Sequence, residues 1–220
     1  MQVLLSNIES EVGCQAGEVG VHGAAGDHRD NCVVSLIQGV ETFQNKFRDS
    51  IDGSCPMCSE MPGTRQVNFE IFHLSNNDES KAISIQQLLN NNLTLPSEVL
   101  KMRCSQCTYG QYQDAVTMKS ITKLPKVLLI NVPKFEFLKS KNRVVNVPTK
   151  SVLTDEHLTV NNQRYKLFGV LDHQGASQHS GHWLTWVRCM EAAGGWLRCD
   201  DSSVEPATLE KVMNKNNYIL

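Results

Sequence analysis

Two Cys-x-x-Cys pairs constrain this chain more than any other feature: Cys55 and Cys58 in SCPMCS, and Cys104 and Cys107 in RCSQCT. A two-residue gap lets both thiolates of such a knuckle reach one ion at about 2.3 Å, and two knuckles close a tetrahedral shell of four sulfurs. The 45 residues between Cys58 and Cys104 exceed the spacer of a compact zinc ribbon, so strands folded between the pairs must bring them together. Two other readings stand beside a structural zinc site. The pairs can be unrelated surface turns, although exposed free thiols are disfavoured inside cells. They can also be redox centres, but neither lies between a strand and a helix as a thioredoxin-like motif does.

The compartment matters for that choice, because eight cysteines would build a disulfide framework only where thiols are oxidised. Val3, Leu4 and Leu5 precede Ser6, Asn7 and Glu9, which is too short an apolar run for a secretion signal. No later stretch approaches the roughly 20 apolar residues of a membrane span. The chain therefore reads as cytoplasmic or nuclear, with no membrane partner. Its 21 basic and 23 acidic residues nearly cancel, and no basic run exceeds a dipeptide. That balance argues against nucleic acid as a partner, and so against a zinc-dependent nucleic-acid binder.

A chain of 220 residues, 40% of them hydrophobic, can bury the core of one large α+β domain. Residues 1–29 are rich in Gly and Ala without sustained periodicity, which predicts a loosely ordered lead-in. From Asp30 onward Val33, Val34, Leu36, Ile37, Val40 and Phe43 fall at helical spacing, and Asp30 or Asn31 can cap the first amides. Val67 to Leu74 reads as a strand. Ser84 and Gln87 have the form of a capping box opening a helix through Leu88 and Leu89. Val127 to Val132 is apolar except for Asn131, as a strand covered on both faces would be. Tyr165 to Leu171, His182 to Arg188 and Trp196 to Asp200 are further predicted strands.

The C-terminal third carries the sharpest chemistry. Gly175 and Gly181 bracket a polar loop, His182 opens a strand, and a turn at Gly194 and Gly195 returns the chain as Trp196 to Asp200. Such a hairpin can place Asp200 beside His182. A carboxylate on one imidazole nitrogen fixes the tautomer, leaving the other to act as general base. A lone histidine at a strand start can equally be a polar residue near a loop.

Taken in order, LPKVLLINVPKF, Tyr165-x-Leu-x-Gly-Val, His173-x-Gly, Gly181-His182-Trp183, Trp196-x-x-x-Asp200-Asp201-Ser202-x-Val204 and Tyr218-Ile-Leu resemble the signature of the ubiquitin-specific protease family. The resemblance runs from about Phe47 to Leu220, with the two Cys-x-x-Cys pairs in their expected place. It implies a papain-like cysteine protease hand: zinc-knuckle fingers at about 45–123, a β palm at about 124–220, and a helical thumb that is largely missing from this chain. Residues 30–220 would then be a partial domain of this kind. Residue by residue, His182 falls on the general base and Asp200 on the residue that orients it, with Asp201 as the fallback. His173, Gly175, Gly181 and Trp183 fall beside the channel that holds the Gly-Gly tail of ubiquitin. Trp183 stands where the family usually has Tyr, and Pro133-Lys134-Phe135-Glu136 departs from the usual end of its strand. Neither change removes a catalytic group.

The family's cysteine box, Gly-Asn-Thr-Cys-aromatic-x-Asn, does not occur in this sequence. Cys32 in DNCVVSLIQ is the nearest candidate nucleophile, with an Asn before it and a helical pattern after it. Against it, the aromatic residue and second Asn are absent, and only 22 residues separate it from Cys55. The preferred placement treats Asp30 to Val40 as the last thumb helix. Cys14 has no helix signal, and Cys189 and Cys199 belong to the palm hairpin, where small hydrophobes pack. The implied function is thiol hydrolysis after the C-terminal glycine of ubiquitin, with structural zinc as cofactor. The alternative is a catalytically silent ubiquitin-binding protein or an incomplete fragment, and without the box the isolated chain is expected to be nearly inert.

Overall fold

The computed structural model describes residues 35–74, 82–107, 110–132, 135–138, 143–146, 152–177 and 180–213. In chain order its strands begin with β1 (Gly39–Phe47), β2 (Thr64–Phe69), β3 (Ile71–His73) and β4 (Ile83–Ser84), followed by helix α1 (Ile85–Thr94). Next come β5 (Glu98–Met102), β6 (Gln113–Lys123), β7 (Leu129–Asn131), β8 (Phe135–Leu138), β9 (Arg143–Asn146) and β10 (Val152–Leu153). The last elements are β11 (His157–Val160), β12 (Gln163–Lys166), β13 (Gly169–Ser177), β14 (Ser180–Arg188), β15 (Gly195–Asp200), β16 (Ser203–Thr208) and helix α2 (Leu209–Met213). The chain divides into two compact units, one of Gln38–Phe69 and Gln87–Leu124, the other of the segments up to Ile37, Glu70–Gln86 and from Pro125 onward. The fold is thus α+β, with strands dominant.

The smaller unit is a four-stranded sheet in the order β2-β1-β6-β5. Its central strand β1 overturns part of the sequence expectation. Ser35–Ile37 is helical, but Val40 and Phe43, expected on the same helix, lie in β1. Their three-residue spacing fits a helix, yet β1 is bonded on one side to β2 and on the other to β6, so tertiary pairing overrides the local pattern. Cross-strand partners fit that register. Lys119 Nζ lies 2.7 Å from Glu41 Oε1, the Thr42 and Thr122 hydroxyls are 2.9 Å apart, and the Arg65 guanidinium stacks 4.9 Å from the Phe43 ring centre.

The second unit holds an antiparallel meander, β13-β14-β15-β16. Gly194 and Gly195 make the β14–β15 turn at φ of 90° and 75°, where any Cβ is strained, as the sequence anticipates. Leu184, Val187 and Trp196 are buried, and Trp196 stands opposite Ala207 across the β15–β16 pair. On β16 the next partner is Pro206, opposite Leu197. Leu36, Ile37 and Val127 form a further core cluster with Leu129 and Phe168, tied by a bond from Val127 N–H to the Leu36 carbonyl (3.0 Å).

Three predicted strands needed redrawing. Val67 to Leu74 is two strands broken at Glu70, because β2 pairs with β1 whereas β3 pairs in parallel with β7. Tyr165 to Leu171 is likewise split at Leu167 and Phe168 between β12 and β13. Of Val127 to Val132 only Leu129–Asn131 is strand, and the buried Val127, Leu128, Ile130 and Val132 explain its apolar composition. Asn131 is accounted for by its register partner His73, whose Nδ1 lies 2.8 Å from Asn131 Nδ2. The helix predicted after Ser84 is α1, and the first-turn amide of Gln86 donates to Asp155 Oδ2 (2.8 Å).

Candidate functional site

His182 lies on β14 and Asp200 ends β15, strands joined by the glycine turn and paired from Thr185↔Cys199 to Arg188↔Trp196. Strand alternation sends both side chains to one face. There His182 Nε2 is 2.5 Å from Asp200 Oδ1. An ionised carboxylate can only accept, so Nε2 carries the hydrogen and Nδ1 is left with a lone pair for proton transfer. The bond to Asp200 raises the His182 pKa above the usual imidazole value, and the same bond holds the Asp200 carboxyl below its usual range.

Asp201, the alternative orienting residue, sits next along the chain at a φ of 50° and is exposed. Its negative charge adds to the upward shift of His182, but the hydrogen bond goes to Asp200. A neighbour that sequence reasoning missed completes the group. Arg198 Nη2 lies 2.5 Å from the other Asp200 oxygen, Oδ2. The signal was present in the sequence: two residues before Asp200 in a strand, Arg198 had to share its face.

The polar loop expected between Gly175 and Gly181 is a hairpin instead, with Gly175 inside β13, Gly181 inside β14 and an irregularity between Gln174 and Ser177. His173 opposes Trp183, their ring centres 4.6 Å apart. His173 is buried and Trp183 is half exposed. Gly181 is required by this packing, because a Cβ there would lie 2.3 Å from His173 Nε2 and 2.8 Å from the Gln174 carbonyl. Gly181→Ala should therefore cost about 1–3 kcal/mol of stability through overpacking. Denaturant unfolding of the variant checks this; an unchanged midpoint would mean that His173 gives way freely.

The cysteines meet in the smaller unit. All four Sγ atoms of Cys55, Cys58, Cys104 and Cys107 lie within 4.8 Å of one another. Cys55 Sγ is 3.6 Å from Cys107 Sγ, and Cys58 Sγ is 3.7 Å from Cys104 Sγ. A disulfide needs about 2.05 Å, whereas a tetrahedron with metal–sulfur bonds of about 2.3 Å has edges of about 3.8 Å. The spacing therefore fits a shared metal ion. Burial pushes the Cys55 thiol up, but amide hydrogen bonds from Met57 and Cys58 outweigh it and bring the pKa to about 7. Cys107, hydrogen-bonded to Cys58 and itself desolvated, is pushed up to about 12. Phe47, Ala115, Leu100 and Met102 pack around the cluster. Cys32, Cys14 and the terminal Tyr218-Ile-Leu lie outside the described residues. Cys199 is partly buried, which raises its pKa, so it is no activated thiol.

Comparison with known proteins gives these features a context. The family model described as ubiquitin carboxyl-terminal hydrolase matches residues 1–220. Ubiquitin carboxyl-terminal hydrolase 23 of Arabidopsis thaliana is 30% identical over 195 residues, covering 84% of this chain and 21% of that protein. Ubiquitin carboxyl-terminal hydrolase 51 of Mus musculus is 31% identical over 139 residues, covering 54% of this chain and 20% of the relative. The chain thus spans about a fifth of the length of these relatives. A solved structure of the SAGA Ubp8/Sgf11/Sus1/Sgf73 DUB module bound to ubiquitin aldehyde matches with a TM-score of 0.66 at 20% identity, over 99% of this chain and 46% of that one. That likeness establishes the shared fold.

Proposed function

Because this chain belongs to the ubiquitin carboxyl-terminal hydrolase family, we propose that it supplies the base and orienting carboxylate for thiol hydrolysis after the C-terminal glycine of ubiquitin. The observation that carries this reading is the His182–Asp200 pair, with Nε2 bound and Nδ1 left for a thiol. In this scheme Nδ1 takes the thiol proton, and the resulting imidazolium is stabilised by Asp200 through Nε2. The same Nδ1 then returns the proton to the departing amine. Between these proton transfers the thiolate adds to the glycine carbonyl and the C–N bond breaks; water, deprotonated by Nδ1, then cleaves the thioester and the thiol is restored, with Asp200 holding the ring throughout. Asp201 is proposed only as an added negative charge near the base.

The cysteine-bearing unit is proposed as the fingers of the hand, and the unit with His182 as its palm. Cys55, Cys58, Cys104 and Cys107 would hold a structural Zn2+, which locks the ends of β1, β5 and β6 rather than taking part in the reaction. Trp183, His173, Gly175 and Gly181 are proposed to flank the ubiquitin tail. No cysteine among the described residues is proposed as the nucleophile; Cys32, the sequence candidate, lies outside them.

Titration of the chain with ubiquitin, followed by amide shifts, tests the reading. Binding is expected, and ubiquitin lacking its two terminal glycines should bind at least about tenfold more weakly, because tail contacts are lost. Equal affinity for both forms, or no binding, would sink it. Ubiquitin with a thiol-reactive C-terminus reads the nucleophile separately. Little adduct is expected from this chain alone, since none of its cysteines carries the family box; an adduct lost on Cys32→Ser would assign the thiol to Cys32.

A further inference from the structure

Asp200 is shared. Its Oδ1 receives His182 Nε2, while its Oδ2 receives Arg198 Nη2 at 2.5 Å. Behind Arg198, on β16, Glu205 stands opposite it in register, with Oε2 3.9 Å from Nη1. The guanidinium is thus bonded to Asp200, with the exposed Glu205 carboxylate as a looser neighbour on its other side. The terminal torsion of an aspartate is broad and nearly two-fold. At the last residue of a strand, a partly exposed carboxylate could rotate either oxygen, or neither, towards the imidazole. A guanidinium fixed on one oxygen removes that freedom. We infer that Arg198 is a positioning residue for the proposed hydrolysis, holding the Asp200 carboxylate so that Oδ1 stays on His182 Nε2.

This rests on the hydrolase reading for its purpose but not for its test. Two effects of Arg198 on His182 have opposite signs. As a nearby positive charge, Arg198 disfavours the imidazolium and lowers the His182 pKa; as the anchor of Asp200, it preserves the hydrogen bond that raises it. The hydrogen bond to Asp200 is the chief cause that raises the His182 pKa. Removing an anchor must therefore lower the His182 pKa, whereas removing a mere charge must raise it slightly. Among the described residues the neighbouring segments also carry Asp201 after β15, Glu205 on β16, and Asp172 and His173 on β13, none of them altered by the substitution.

The experiment is a proton titration of the whole chain by heteronuclear NMR, with His182 identified among the seven histidines by its loss in His182→Gln. In Arg198→Gln the His182 pKa should fall by about half a pH unit or more towards the ordinary imidazole value. An unchanged or raised value overturns the inference. With Asp200→Asn already in place, Arg198→Gln should no longer lower the pKa; a fall of equal size there would also overturn it, since the effect would not run through Asp200. Should the glutamine variant fail to fold, Arg198→Lys keeps the charge but not the planar fork, so a smaller fall is expected and no fall contradicts the assignment. The titration needs no ubiquitin. A chain that shows the fall but binds no ubiquitin loses the proposed function and keeps the Arg198 assignment; one that binds ubiquitin with His182 unmoved loses only the assignment.

Discussion

Chelating the zinc proposed for the cysteine cluster, or replacing Cys107 by Ser, should unfold the β2-β1-β6-β5 sheet. A structural zinc site couples metal binding to folding, and such sites are worth about 10–16 kcal/mol of apparent binding free energy near neutral pH. That matches or exceeds the roughly 5–15 kcal/mol by which a whole domain is stable. The cluster is placed to transmit the loss: Cys55 is buried against Phe47 at the end of β1, and Ala115 of β6 packs on the same group. Elemental analysis should find one zinc per chain before treatment, and amide exchange should show protection lost first along β1, β5 and β6. Loading must also weaken in acid, because binding displaces protons from thiols, one of which sits at about 12 when hydrogen-bonded to its neighbours. Full protection with the metal gone would mean that the cysteines are ordinary core residues.

The second large effect concerns His182. In a preparation where a thiol is aligned with Nδ1, His182→Ala should lower the turnover of a fluorogenic ubiquitin amide by about 10⁴-fold, at the upper end of what a positioned general base supplies. Asp200 invites a finer comparison. Asp200→Ala leaves Nε2 without an acceptor and frees the ring, so a loss of about a hundredfold is expected, the scale of a small misplacement. Asp200→Asn should cost less than Asp200→Ala, because the amide carbonyl still accepts from Nε2 and thiol proteases of the Cys-His-Asn kind use that arrangement. Because Asp200 raises the His182 pKa, the acid limb of the profile should lie above the ordinary histidine value and move down in both variants. Equal losses for alanine and asparagine would show that charge, rather than ring orientation, is what Asp200 contributes.

The sequence made the site more legible than the strands around it. His182 and Asp200 are separated by one hairpin whose turn is announced by Gly194 and Gly195, so local rules suffice to bring them together. The cysteine pairs are legible for a different reason: their chemistry demands a common centre whatever path the chain takes. The path itself was not legible. Glu70 ends one strand and precedes another in a different unit, and nothing in Val67 to Leu74 signals the change of partner. Val40 and Phe43 fit a helix until β2 and β6 are known to flank them. Arg198 was overlooked because a basic residue in a strand ordinarily faces water; alternation along β15 already put it on the face of Asp200, and the register with β16 adds Glu205 opposite it.

Pro206 has a consequence for solubility. Among the described residues β16 is the last strand of its sheet, and a terminal strand offers unpaired amides on which a foreign strand can grow. Proline within a paired strand must direct its nitrogen away from the ladder, because it has no hydrogen to give. Opposite Leu197, Pro206 therefore deletes a donor from the outer rim of the meander, midway along a six-residue strand. An incoming chain meets a gap in the row of donors, which disfavours strand addition along that side of the sheet that carries His182 and Asp200.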